Sequence, residues 1–184
     1  MTHTARLCTM NWLLYGLIGL VLVGAFIGWG FIRITKRTAD AAAALAAVEE
    51  YQIPALVEEC IRVCDEKLGT GLDPKNFVGS AENLDFLLEP KQRTRTKTAF
   101  EIPGHTGRFV LPLGAFIGEL VRSHNPGAHW VRREGGGLAM DIPQAGATLT
   151  MHPFDKVLKH SATGKEGDLL AYLNVAAGKA EPKL

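Results

Sequence analysis

The sequence predicts an α+β protein in which a single N-terminal transmembrane helix is followed by helices packed on a small three-stranded antiparallel sheet. Three observations predict this class. A run of 21 residues, 12–32, carries no charge; apolar residues then recur at helical spacing; and after residue 127 they alternate with polar ones between tight turns. We therefore expect an N-terminal tail, a transmembrane helix, a helical stalk, an α+β domain and a flexible C-terminal tail at residues 1–11, 12–32, 33–52, 53–177 and 178–184.

The uncharged run is long enough to cross a bilayer as a helix, because a hydrocarbon core of about 30 Å requires roughly 20 apolar residues. Trp12 and Trp29 lie near its two ends, where aromatic side chains favour the membrane interface. A cleaved signal peptide is the alternative. The run is longer than the apolar core of such peptides, and Arg33 and Lys36 follow it, which favours a retained anchor.

The charges that flank the run predict its orientation. Arg33, Lys36 and Arg37 follow it, whereas Arg6 and the terminal amine precede it. Positive residues favour the cytoplasmic side of a membrane, so the domain is expected in the cytoplasm, with the periplasmic face as the alternative.

Gly24 and Gly28 form a G-x-x-x-G motif inside the run, which lets two membrane helices approach closely. The second helix would belong to another copy of the chain, giving a homodimer, or to a different membrane protein. Glycine is also frequent in membrane helices that do not pair, which is the other interpretation.

Helices are predicted next. The alanine-rich segment 41–47 favours a helix that continues the membrane span as a stalk, and Pro54 should interrupt it. Beyond Pro54, apolar residues keep helical spacing up to Gly69, which is a suitable helix stop. Cys60 and Cys64 fall on the apolar side, so buried free thiols are expected rather than a disulfide.

Another helix, a loop and a third helix follow. Ser80 is expected to cap a short helix, and residues 91–112, rich in Thr, Gly, Lys and Arg, are expected to form a long loop. An amphipathic helix is predicted over 113–123. Gly114 and Gly118 lie four residues apart on it, so another element can come close there.

Three short strands are then predicted, because apolar and polar residues alternate between turn sequences. The first, 128–133, carries Trp130; the second covers 138–142 and the third 148–152. Such strands are typical of an antiparallel meander with one face on the core. Two short helices, around 154–158 and 169–173, close the domain.

The charge distribution excludes one function class. Residues 40–89 hold 11 acids and 3 bases, residues 91–133 hold 8 bases and 2 acids, and the whole chain has a net charge of +1. Nucleic-acid binding needs a net basic domain, whereas the part of the chain from Thr35 onward holds 18 bases and 19 acids, so no nucleic-acid partner is expected. The basic stretch Lys91–Lys97, which includes Arg93 and Arg95, is either a solvated loop or a patch that binds phosphate or an acidic partner.

The sequence contains no recognisable catalytic motif. Its six histidines have no metal-binding spacing, so no metal or other cofactor is expected, although His129 and His152 could meet across strands. There is no G-x-S-x-G motif, and Gly135–Gly137 joins two strands instead of opening a helix as a phosphate loop does. Glu119, on the flank of an apolar helix, is expected to bond the sheet or to contact a partner.

The C-terminal half carries short motifs that resemble a known group of proteins. A Ser-x-x-x-Leu-Asp helix at 80–85 precedes Leu-Gly-x-Phe-x-Gly-Glu at 113–119, a strand with Trp130, and Pro-Phe-x-x-Val at 153–157 with Tyr172 beyond it. In this order they are similar to a loose family of small bacterial α+β domains of unknown function, some of which are immunity proteins beside secreted toxins. The resemblance covers 80–175. It implies a bacterial chain, and the uncharged run then indicates a single-pass protein of the inner membrane.

These features favour a membrane-anchored, non-enzymatic binding protein, and the resemblance implies that it neutralises a bacterial toxin. The residues expected to contact a protein partner are Glu119, Trp130, Arg132, Arg93 and Arg95. Two other classes stay open. One is an assembly subunit that acts through Gly24 and Gly28, and the other is a hydrolase or transferase that uses Glu119 with His129 or His152.

Overall fold

The computed structural model describes residues 43–101, 109–134, 137–144, 146–163 and 168–178, which all belong to one compact unit that begins at Ala41. Within these ranges, no helix combines the length and the apolarity needed to cross a membrane. The predicted transmembrane helix, 12–32, with Gly24 and Gly28, lies outside the described residues.

The described chain is α+β, as predicted, and combines helices with a three-stranded antiparallel sheet. A 3-10 helix at Glu50–Gln52 precedes the first α-helix, which continues directly into a π-helix at Cys64–Leu68. The α-helices are α1 (Ile53–Val63), α2 (Phe77–Leu88), α3 (Arg93–Phe100), α4 (Val110–His124), α5 (Pro153–Thr163) and α6 (Asp168–Ala176), and the strands are β1 (His129–Arg132), β2 (Leu138–Gln144) and β3 (Ala147–Met151).

The sheet confirms the predicted meander, with strand order β1-β2-β3 and antiparallel pairing throughout. Trp130 is opposite Met140, and Met140 is opposite Met151, so these three side chains form one row across the sheet. All three are buried in the hydrophobic core. Alternation of side chains along a strand therefore places its intervening residues on the opposite face.

Asp141 is the centre of a polar network on that opposite face. Its Oδ1 accepts hydrogen bonds from the Thr150 hydroxyl at 2.7 Å and from Arg133 Nη2 at 2.5 Å. The hydrogen bond from Thr150, then that from Arg133 and its positive charge, lower the pKa of Asp141. His129 is in register with Asp141, which separates it from β3, and His152 follows the end of β3. The two histidines therefore do not face each other across neighbouring strands.

Helix α4 lies at the centre of the core and packs against α1 and α5. Its apolar stripe is fully buried, and its largest members are Leu113, Phe116, Ile117 and Leu120. The helix begins at Val110, three residues before the predicted start, because a proline fits the first turn, where its missing N–H has no intrahelical partner to lose.

The segment that leads from α1 to Gly69 follows the prediction closely. Pro54 occupies the first turn of α1, and Gly69 ends the π-helix in the left-handed conformation with φ of 66°. Cys60 and Cys64 are free thiols with no exposed surface, as expected. Burial, followed by a hydrogen bond with Cys64, raises the pKa of Cys60.

Only residues 43–52 of the predicted stalk are described, and they pack on the domain. Residues 43–46 are helical, and the helix ends before Val48, which is buried in the core. The backbone at Gly137 passes so close that a Cβ there would lie 2.8 Å from the Leu45 carbonyl oxygen. From Leu45 onward, the chain is therefore part of the compact unit.

Residues 91–112 were predicted to form one long loop. The structure describes 91–101 and 109–112 of this range, and for these residues the prediction is wrong. Arg93–Phe100 forms α3, in which Thr96 and Phe100 are buried. The Thr96 hydroxyl donates a hydrogen bond of 2.7 Å to the carbonyl of Leu87 at the end of α2. Threonine has a low helix propensity, and here burial and tertiary hydrogen bonding outweigh it.

The predicted N-cap at Ser80 is also wrong, because α2 begins at Phe77 and Asn76 caps it. The Asn76 side chain accepts a hydrogen bond from the Gly79 N–H at 3.2 Å. Ser80 instead lies inside the helix, where its buried hydroxyl donates to the Asp73 carbonyl at 2.7 Å and accepts from the Asp73 N–H at 2.9 Å. Serine and asparagine cap helices equally well, so their types did not distinguish the two positions.

Candidate partner-binding cleft

Gly114 and Gly118 form a seam along α4 that admits two aromatic side chains. A Cβ on Gly118 would overlap the ring of Trp130, and one on Gly114 would overlap the ring of Phe154. The two rings lie with their centroids 5.8 Å apart. We call these four residues the glycine seam, and they confirm the prediction that another element approaches α4 closely at its glycines.

Glu119, next to the seam, is held by two neighbours. Trp130 Nε1 donates a hydrogen bond to Glu119 Oε1 at 3.1 Å. Arg122 Nε lies 3.0 Å from both carboxylate oxygens, and Arg122 Nη2 donates to Oε2 at 2.6 Å. These hydrogen bonds and the charge of Glu119 raise the pKa of Arg122. Three N–H groups therefore hold Glu119, because the single Nε–H of Arg122 is shared between the two carboxylate oxygens.

A cleft opens beside the Glu119 carboxylate. It has a volume of about 610 Å³ and is lined by Glu50, Tyr51, Ile53, Pro54, Glu119, Arg122, Ala128, His129 and Trp130. We call it the Trp130 cleft. Its walls come from the 3-10 helix and the start of α1 on one side, and from α4 and β1 on the other. Such a concave site with aromatic, apolar and charged walls is suited to accept a protruding side chain.

A second hollow lies on the other side of Tyr51. It has a volume of about 420 Å³ and is lined by Val48, Tyr51, Gln52, Ala55, Leu56, Glu59, Leu111 and Pro112. We call it the Leu56 groove. Tyr51 lines both hollows while remaining 80% exposed, so it forms an aromatic ridge between them. Tyrosine is one of the residue types enriched at protein interfaces.

Arg132, one of the predicted partner-binding residues, holds the segment that carries this ridge. Its guanidinium donates to the carbonyl of Ala46 at 3.0 Å and to that of Val48 at 2.6 Å. It also forms an ion pair of 3.0 Å with Glu49. Arg132 therefore fixes the chain immediately before Tyr51 and shapes the rim of the hollows without lining either.

Arg93 and Arg95, also predicted to bind a partner, lie on α3 and line neither hollow. Arg95 Nη2 donates to the Leu68 carbonyl at 3.2 Å, at the end of the π-helix. Lys97 lies 5.3 Å from the ring centre of Phe109, and burial, followed by the charge of Arg93, lowers its pKa. The structure thus brings Glu119 and Trp130 together, places Arg132 behind the rim, and separates the basic stretch from all three.

Most residues that line the two hollows were not selected from the sequence, among them Glu50, Tyr51, Glu59 and Arg122. Tyr51 and Glu50 precede Trp130 by some 80 positions, so only the tertiary fold brings them together. The contact of Arg122 with Glu119 could have been predicted from the sequence, because the two residues lie three positions apart on a helix. This is the spacing of an intrahelical ion pair.

The groups proposed for hydrolysis meet only in part. His129 lines the Trp130 cleft with Glu119, and its Nδ1 lies 3.0 Å from the Gly127 carbonyl oxygen; His152 does not line the cleft. Among the residues that the structure describes, no group of three or more His, Cys, Asp or Glu side chains could hold a metal ion.

Neither a protein-family model, nor a curated protein, nor a solved structure matches this chain.

Proposed function

We propose that this chain is a membrane-anchored, non-enzymatic protein-binding module. The uncharged run 12–32 serves as its anchor, the domain faces the cytoplasm, and the Trp130 cleft and the Leu56 groove form its docking surface. Neutralisation of a bacterial toxin is the form of binding that the sequence resemblance implies, and it remains a prediction.

The observation that supports binding most strongly is that Trp130 and Arg122 together hold the Glu119 carboxylate. A general base must accept a proton from its substrate, whereas this carboxylate already receives hydrogen bonds from Trp130 and Arg122. Its contacts stiffen the wall of the cleft instead. A preformed wall lowers the entropic cost of docking, because fewer side chains lose freedom on binding.

The exposed ridge is the second support. Tyrosine, tryptophan and arginine are the residue types that most often dominate the energetics of protein interfaces, and Tyr51, Trp130 and Arg122 converge here. Tyr51 stands 80% exposed between two hollows, so a partner that covers it gains apolar contact on both sides.

Site-specific photo-crosslinking tests the proposal. A benzophenone amino acid replaces Tyr51 in the full chain in its native cells, and the same substitution at Val78, which is 58% exposed on α2 and lines neither hollow, is the control. We expect a discrete protein adduct from position 51 in the membrane fraction and none from position 78. Equal labelling from both positions, or no protein adduct from position 51, would contradict the proposal.

A further inference from the structure

We infer that the partner is a protein segment that is both basic and apolar: it places an aliphatic or aromatic side chain in the Leu56 groove and an arginine or lysine in the Trp130 cleft, on either side of Tyr51. This inference rests on the proposed docking function and specifies the chemistry of the occupant.

The charge of the two hollows indicates a basic partner. Their walls contain three carboxylates, Glu50, Glu59 and Glu119, and Arg122 is the one lysine or arginine among the described residues that line them. Arg122 is ion-paired with Glu119 and also interacts electrostatically with Glu50; besides Glu119, each side of the ridge has one further carboxylate, Glu50 or Glu59. Counting histidine as neutral, the lining carries a net charge of −2 (three acids against one base), which attracts a cationic partner.

The apolar lining of the Leu56 groove indicates an apolar side chain in the partner. The walls of the Leu56 groove are apolar except for Gln52, Glu59 and the hydroxyl of Tyr51, and its apolar members are Val48, Ala55, Leu56, Leu111 and Pro112. An aliphatic or aromatic side chain that enters the groove exchanges water for contact with these apolar residues, which is favourable. The groove therefore selects an apolar residue, and Glu59 at its side favours a positive charge nearby.

The ridge at Tyr51, which the two hollows share, indicates that one segment can occupy both of them. Tyr51 lines both hollows, so they lie one side chain apart. In an extended segment, alternate residues point to the same face and are roughly 7 Å apart, so residues i and i+2 can enter neighbouring hollows. A guanidinium that reaches the cleft can also stack on an aromatic face there, which strengthens the preference for arginine.

The occupant is a different protein rather than a second copy. Arg95 and Lys97 of the chain's own basic stretch are engaged within the fold, where Arg95 donates to the Leu68 carbonyl and Lys97 lies over Phe109. A second copy would have to break these contacts to present Arg95 or Lys97.

Peptide binding to the full chain in detergent tests the inference. The three tryptophans are replaced by 5-fluorotryptophan, and the fluorine resonance of Trp130 is assigned with W130F. The probe is the nonapeptide Gly-Ser-Gly-Leu-Ser-Arg-Gly-Ser-Gly. Its controls carry Glu in place of Arg, or Ser in place of Leu. We expect the Trp130 resonance to move with the first peptide, at an affinity at least about fivefold higher than with either control.

Two substitutions one position apart on α1 test the charge. Glu59→Lys reverses a carboxylate that lines the Leu56 groove, whereas Glu58→Lys makes the same change at an exposed position that lines neither hollow. We expect Glu59→Lys to weaken binding of the Leu–Arg peptide about five- to tenfold, as loss of an attraction and gain of a repulsion require, and Glu58→Lys to change it less than about twofold.

The outcomes separate the inference from the proposed function. The inference is overturned if the Glu-containing peptide binds as well as the Arg-containing one, if the two lysine substitutions act equally, or if no peptide moves the Trp130 resonance; a discrete adduct from position 51 would still uphold docking in each case. An adduct with a second copy of the chain overturns the different-protein occupant. Absence of a protein adduct from position 51 contradicts docking itself, whatever the peptides do.

Discussion

Charged side chains have opposite roles beside the glycine seam and at the contact between α3 and the π-helix. Beside the seam, Glu119 forms an ion pair with Arg122 and accepts a hydrogen bond from Trp130. These three residues form one wall of the open Trp130 cleft. At α3, Arg95 donates to the carbonyl of Leu68, so its charge is directed into the protein's own backbone.

The difference lies in what surrounds each charge. The last carbonyls of a helix carry partial negative charge and lack intrahelical donors, so a nearby arginine is drawn to them and holds two helices together. Lys67 makes the reciprocal contact, because its ammonium donates to the Ala99 carbonyl of α3 at 2.9 Å. Basic residues that are close in sequence can thus join two helices through hydrogen bonds to carbonyl groups. A carboxylate that is ion-paired next to glycines can instead line a binding surface.

The largest effect is expected at the glycine seam. Gly118→Ala introduces a Cβ that overlaps the Trp130 ring, so we expect the free energy of unfolding to fall by about 1–3 kcal/mol, although alanine favours a helix more than glycine does. Gly71→Ala is the control, since a Cβ there meets nothing within 4 Å. Urea unfolding of the full chain in detergent measures both. Equal stability of the two variants would mean that the seam is not tightly packed.

A smaller effect is expected at α3. Arg95→Ala removes the hydrogen bond to Leu68, and we expect a loss of about 1 kcal/mol in the same unfolding assay, with photo-crosslinking from position 51 unchanged. Lys91→Ala, at an exposed position just before α3, is the matched control. If Arg95→Ala left stability unchanged but abolished the adduct, the basic stretch would belong to the binding surface after all.

The smallest effect concerns the face of the sheet opposite the seam. The folded pKa of Asp141 is lowered by the hydrogen bond from Thr150 and by Arg133, so its contribution to stability is present above its unfolded pKa of about 4 and is lost as pH falls through the folded pKa. Asp141→Asn removes this contribution. We expect the wild type to be the more stable protein at pH 7 and the difference to narrow below about pH 4.

Urea unfolding from pH 7 to pH 3 checks this expectation. Asp65→Asn, at an exposed position of the π-helix, is the control for the loss of one carboxylate. A difference between wild type and Asp141→Asn that is constant with pH would show that the network on this face acts through shape rather than charge.

The local parts of the fold were predictable because their causes are local. The left-handed stop at Gly69, the burial of Cys60 and Cys64, and the alternation that yields the meander all follow from spacing within a few residues. The approach of an aromatic strand residue to Gly118 was predictable in kind, although the identity of the neighbour was not.

The remaining features depend on contacts between distant parts of the chain. Helix α3 forms because Thr96 and Phe100 are buried against other elements, which its threonine-rich sequence does not indicate. The rim of the cleft depends on Arg132 reaching the carbonyls of Ala46 and Val48, more than 80 positions earlier. No periodicity within a single segment encodes that contact.

The two buried thiols have a consequence for where and how the domain works. Cys60 and Cys64 lie at the junction of α1 with the π-helix, on the same helix as the wall of the Leu56 groove, and neither has exposed surface. An oxidant or alkylating reagent reaches them only when this junction opens. In the folded domain, Cys60 and Cys64 are therefore equally protected in a reducing and in an oxidising compartment. The rate at which a reagent alkylates these two thiols measures how often the junction of α1 with the π-helix opens.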